Sequence, residues 1–333
     1  MIQMKHIITE LNISQGKHCY YSSIANIMEY NGVDLSEAEI FVLFEGFIMR
    51  YYCDVGRLDL TMHNDMSIDF ISKISSGINY IEERNKGKDL EEIYQAISKD
   101  NLVLLAIQNK YLNYNRVYQE SEGYLHYVLM YGYDTDMSQV YIADTFMLDH
   151  SGTAMTYSGT VPMENIENGI GAYACFEIKD KNLISKEAFI DIFLKKFEIF
   201  LTHKADESDN NIYLGNYAIR KYIENIFPSG EMDDALFEKS CLDAIYNLKF
   251  GVILHLLEYL IGIIQKYHFM WSEPEDLISG LKVLKMDWHK YFIYLLKVAY
   301  SGRRDKISET IKYGIDTFDY QEKVFFDILN TVK

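Results

Sequence analysis

One cysteine, one histidine and one aspartate in the first half of this 333-residue chain have the types and addresses that nucleophilic chemistry requires. Cys19 follows the polar approach Gln15-Gly16-Lys17-His18 and opens a run in which Ile24, Ile27, Met28 and Asn31 recur at helical spacing. That spacing predicts a helix with one buried face, and Gly32 supplies its stop. Cys19 then stands at or just before the first turn, where free N–H groups and the positive dipole end favour a thiolate. A nucleophilic thiol needs a base, and the base needs an acceptor to orient it. Of the nine histidines, His126 leads straight into the strand-like run Tyr127-Val128-Leu129-Met130-Tyr131-Gly132-Tyr133. Asp144 ends the next such run, Val140-Tyr141-Ile142-Ala143. If the two runs pair as a hairpin, the start of the first lies beside the end of the second, and His126 meets Asp144. The carboxylate can then accept from one imidazole nitrogen and leave the other for the thiol proton. Each residue also has a plainer role: a buried cysteine packs, a histidine bonds a carbonyl, and an aspartate opens a turn.

The elements that must position these residues read as α+β. Ser36 and Glu39 form a capping box before the apolar run at 40–44, which predicts a second helix. Residues 47–65 read as loop plus a short strand, and 66–74 as a third helix capped by Asn64 or Asp65. Strands are expected at 78–82, 102–107, 127–134, 140–143 and 172–178, with a helix at 90–97 capped by Asp89. The run at 102–107 is apolar throughout, as in a strand covered on both faces. Beyond Lys181 no convincing strand appears. Residues 185–202, 217–226, 232–248, 252–268, 275–284, 288–299 and 307–328 carry helical spacing, with a polar linker at 205–211. The division expected is 1–180 for a catalytic domain and 181–333 for a helical domain, a bundle serving as a lid or a docking surface for a partner.

Composition narrows the function classes. A net charge of −17 disfavours nucleic acid and favours a cationic small molecule. The first ten residues lack the apolar core of a signal peptide, and no run is long enough to span a bilayer, so a cytoplasmic protein off the membrane is expected. The four cysteines, Cys19, Cys53, Cys175 and Cys241, are scattered, as reduced thiols are. Neither His18-Cys19 nor Cys53 with His63 makes a four-ligand spacing, so no metal is expected, and no cofactor is implied. His255, His268 and His289 lie among apolar residues and read as packing.

A cysteine opening a long helix, then His-x-Val-x-x-x-Gly-Tyr-Asp at His126–Asp134, then a strand ending in Asp144, resembles papain-like cysteine enzymes, the C39-like peptidase group in particular. The closer resemblance is to the butirosin-biosynthesis protein H family, acyltransferases. It is carried by His18-Cys19 with its helix, Leu35-Ser36-Glu37-Ala38, Tyr111-Leu112-Asn113-Tyr114 and the two strands with His126 and Asp144, and it spans about residues 10–180. It implies a papain-like domain with Cys19 as nucleophile, His126 as base and Asp144 as orienter, and it offers His18, Tyr111 and Tyr114 for substrate binding. Papain-like peptidases build the oxyanion hole with a glutamine upstream of the cysteine; Gln15 is the candidate, although it sits closer to its cysteine. The backbone N–H of Cys19 is the firmer donor. Thr145 stands where the family usually has proline. The resemblance implies acyl transfer from an acyl carrier protein, through a cysteinyl thioester, to an amine in natural-product biosynthesis. Lys181, Lys186, Lys195 and Lys196 are candidates for the basic patch that an acidic carrier would need. Hydrolysis of a peptide or amide by the same residues is the alternative, and a binding protein on the same fold is the third.

Overall fold

The structure is a computed structural model, and it describes residues 5–44, 46–54, 57–62, 78–84, 90–120, 123–150, 152–204, 211–227 and 232–333. The helix expected at 66–74 with its caps, the cap at Asp89 and nearly all of the linker at 205–211 lie outside these residues. In chain order the elements begin with β1 (Lys5–Ile7), α1 (Cys19–Tyr30), α2 (Glu37–Leu43), β2 (Met49–Asp54), β3 (Arg57–Met62) and β4 (Ile78–Arg84). There follow α3 (Glu91–Ile97), β5 (Val103–Gln108), α4 (Arg116–Gln119), β6 (Leu125–Asp134), β7 (Gln139–Leu148), β8 (Ala154–Pro162), α5 (Met163–Gly169) and β9 (Ile170–Ile178). The remainder is α6 (Lys186–Thr202), β10 (Ile212–Leu214), α7 (Gly215–Glu224), α8 (Asp234–Ile245), α9 (Leu254–Lys266), α10 (Pro274–Ser301) and α11 (Ile307–Asn330). The protein is α+β: helix and antiparallel sheet first, then a helical C-terminal region. Two compact units emerge, Met1–Ile40 with Met66–Ser185, and Phe41–Asp65 with Lys186–Lys333.

In the first unit an antiparallel sheet runs in the order β4-β9-β5-β6-β7-β8, with β1 added beside β6. Val103 to Ile107 are all buried in β5, the residues of a strand covered on both faces. The helix α1 lies against β6 and β7. Tyr20 and Tyr21 are fully buried on it, and the Tyr20 ring sits 4.7 Å from that of Tyr127. Gly32 ends α1 with φ +74°, the left-handed stop that a glycine takes cheaply. The capping box forms as its sequence dictates: Ser36 N–H donates to Glu39 Oε2 at 2.8 Å, and Glu39 N–H to Ser36 Oγ at 3.4 Å.

In the second unit β2 pairs with both β3 and β10. The stretch read as loop plus one short strand is thus a two-stranded ribbon extended by a third strand. That third strand corrects the expectation of none beyond Lys181; Ile212–Leu214 has too few residues to show a period and is held by its pairing to Arg50–Tyr52. The helices pack around aromatic residues, with the Phe47 ring 5.4 Å from those of Phe197 and Phe200. The segments expected at 275–284 and 288–299 are one helix, α10. Its polar interval lies on the surface, where Lys285 pairs with Glu258 and Asp287 with Lys290. Among the described residues one helical stretch, Asp234–Lys266, is long and apolar enough to cross a membrane, and 61% of its apolar window is buried inside the protein. His255 is buried and bonds the Phe250 carbonyl, whereas His268 and His289 are exposed.

Candidate active site

Cys19 is the first residue of α1, and the chain before it is anchored by successive hydrogen bonds. The Glu37 carboxylate accepts the N–H groups of Lys17 and His18 at 3.0 and 2.9 Å. His18 is the N-cap, its Nδ1 accepting the Tyr20 N–H at 3.2 Å, so this imidazole is committed to holding the first turn. Gln15 is exposed, and its neighbour Gly16 donates its N–H to the Thr145 carbonyl at 2.9 Å.

The hairpin supplies the other two groups. Leu129 faces Ala143 and Met130 faces Ile142 across β6 and β7. His126 lies three residues before Leu129 and Asp144 one residue after Ala143, so both stand just past the same end of this ladder. His126 Nε2 lies 2.9 Å from Asp144 Oδ2, with the imidazole 12% exposed and the carboxylate fully buried. Asp144 does not end its strand: β7 continues to Leu148, and its ladder with β8 is irregular between Asp144 and Met147. Such a bulge re-aims side chains; Asp144 and Thr145 are both buried here although they are consecutive.

The carboxylate is heavily engaged. Oδ2 accepts the Tyr114 hydroxyl at 2.8 Å and the Tyr118 hydroxyl at 3.1 Å, and Oδ1 accepts the Phe146 N–H at 3.2 Å. Tyr114 stacks on Tyr157 with ring centroids 3.9 Å apart, and Tyr157 is the cross-strand partner of Asp144. Burial, then the adjacent Asp144 charge, pushes the Tyr114 hydroxyl well above its ordinary range, so it remains a donor. Tyr111 is placed elsewhere: its carbonyl accepts from Asn165 Nδ2 at 2.9 Å. Tyr118, whose hydroxyl is also 2.9 Å from His126 Nε2, was missed by sequence reasoning. It lies four residues beyond Tyr114, but in a chain with 28 tyrosines that spacing does not stand out.

Burial alone would lower the pKa of His126. The Asp144 charge, the Cys19 charge and hydrogen bonds to both outweigh it and raise the value to about 10. His126 therefore sits between carboxylate and thiol and carries a proton at neutral pH. With Nε2 engaged by Asp144, Nδ1 is left for Cys19. Cys175 is half-buried and Cys241 buried, and desolvation pushes each thiol up to about 12. They remain protonated and inert. Lys196 is occupied as well, donating to the Val42 carbonyl at 2.9 Å and to that of Leu43. Among the described residues no three His, Cys, Asp or Glu side chains cluster as a metal site requires.

A cysteine-led helix docked on an antiparallel hairpin brings a thiol, an imidazole and a carboxylate together in an α+β protein. Residues 18–145 match the family model for butirosin biosynthesis protein H, N-terminal. This stretch, a little over a third of the chain, is similar to that N-terminal region. The match begins one residue before Cys19 and ends one after Asp144. No curated protein matches the chain.

Proposed function

We propose that the protein is a cysteine-dependent acyltransferase that takes an acyl group from an acyl carrier protein and passes it to an amine in natural-product biosynthesis. The observation that carries this reading is His126, bonded to both Asp144 and Cys19 and protonated at neutral pH. An imidazolium beside the thiol pairs with a thiolate, which attacks the donor thioester carbon. The new C–S bond forms, the donor C–S bond breaks, and the departing carrier thiolate takes the His126 proton. The acceptor amine then attacks the Cys19 thioester. Its C–N bond forms, the Cys19 C–S bond breaks, and the neutral His126 takes the amine proton, which restores the resting ion pair. Asp144 holds the ring throughout. The Cys19 N–H, whose place in the first turn gives it no intrahelical acceptor, serves the oxyanion.

Intact-protein mass spectrometry after incubation with acylated carrier protein tests this reading. The wild type should gain the acyl mass and Cys19→Ala should not; an adduct that survives in the variant sinks the assignment. Adding a polyamine should discharge the adduct as amide. Equal release of free acid with and without the amine would make the protein a hydrolase.

A further inference from the structure

Thr145 makes contacts that neither the nucleophile, the base nor the orienter accounts for. It follows Asp144 in the bulged part of β7, is fully buried, and turns both its hydroxyl and its carbonyl toward the start of α1. The Ser22 hydroxyl donates to the His18 carbonyl at 2.7 Å, which uses its only proton. Across the 2.5 Å contact between Ser22 Oγ and Thr145 Oγ1, Thr145 is therefore the donor. Ser23 Oγ, 3.2 Å from Thr145 Oγ1, then donates to Thr145. A chain of hydroxyls runs from Ser23 through Thr145 and Ser22 to the carbonyl of His18. That carbonyl belongs to the peptide whose N–H is that of Cys19. The Thr145 carbonyl meanwhile holds Gly16 at 2.9 Å. Three hydroxyls in a dry contact are costly unless paired, and this set is directed at the turn that bears the thiol.

We propose that Thr145 is the positioning residue of the site: its hydroxyl, through Ser22, polarises the His18–Cys19 peptide, so that the Cys19 N–H is the oxyanion donor. The inference rests on the acyl-transfer reading of Cys19. Aligned hydrogen bonds strengthen one another, so a proton donated to the carbonyl of a peptide makes its N–H a better donor. Packing alone would be satisfied by valine, which has the shape of threonine without the hydroxyl.

The test compares wild type, Thr145→Val and Thr145→Ser in two reactions of Cys19. Acylation by a small acyl thioester passes through an oxyanion; alkylation by iodoacetamide needs the thiolate alone. Thr145→Val should slow acylation by about tenfold or more, since losing an oxyanion donor outright costs ~100-fold or more. Its alkylation rate and pH profile should stay near wild type, and Thr145→Ser should restore acylation. If Thr145→Val does not fold, Ser22→Ala cuts the same chain at its last link and should slow acylation likewise. A valine variant that acylates as fast as wild type overturns the proposal, as does a serine variant as slow as valine or a parallel loss of both reactions. A wild type that takes no acyl group at all overturns the acyl-transfer reading as well, and so the two failures are told apart.

Discussion

His126 and Asp144 form a tightly specified pair. The carboxylate is fully buried and accepts two tyrosine hydroxyls, one backbone N–H and the imidazole. Its charge and its hydrogen bond favour the protonated ring. The sign of the resulting pH dependence follows. The ordinary value of 6.5 applies to the unfolded chain and about 10 to the folded one, so the folded state holds the extra proton between them. The contribution of His126 to stability is complete below about pH 6.5 and is lost as pH rises through the folded value. In a Cys19→Ala background, where no thiol titrates beside the ring, the urea midpoint should fall as pH rises above 6.5. It should fall less in Cys19→Ala/His126→Gln, and parallel curves would show that the ring is not held protonated. NMR should place the wild-type His126 midpoint near 10 and that of Cys19→Ala lower, because the thiol is one of the charges that raise it.

At the scale of elements, what was legible in the sequence depended on whether a residue's role is local. The helix after Cys19 and its Gly32 stop follow from spacing, as does the capping box of Ser36 and Glu39, because helix periodicity and capping are local. The hairpin logic brought His126 to Asp144, although the strand runs on past Asp144. Strand β8 was missed because Ala154–Pro162 is the edge of the sheet: most of it is exposed or half-buried, and it lacks the apolar alternation that marks a strand. The role of Thr145 was invisible for a different reason. Its hydroxyl partners stand more than 120 residues away, and no local pattern announces them. Gly16 records the same docking from the other side, since a Cβ there would lie 2.0 Å from Ser22 Cβ. Gly16→Ala must push the approach segment off α1 and stretch the bond to the Thr145 carbonyl. The expected loss is about 1–3 kcal/mol, the usual cost of overpacking, read as a lower melting temperature. A melting temperature equal to wild type would mean that the approach segment is not held against α1.

At the scale of the whole molecule, charge is the property that bears on the acceptor. A net charge of −17 surrounds the protein with a negative potential, and the proposed chemistry ends on an amine. A polyamine would be concentrated near such a surface, while an anion would be repelled. Exposed charges more than about 8 Å apart are screened at physiological salt, so the attraction must weaken as salt rises. For a polyamine acceptor, KM should rise several-fold between low and physiological ionic strength while kcat holds, because salt acts on encounter and leaves the desolvated His126–Asp144 pair untouched. A neutral acceptor, such as an amine masked on all but its reactive nitrogen by uncharged groups, should show no such rise. Equal salt sensitivity for the two acceptors would remove charge from the account of acceptor choice and leave it to the shape of the site. If kcat falls with salt instead, the effect lies in the chemical step and not in encounter.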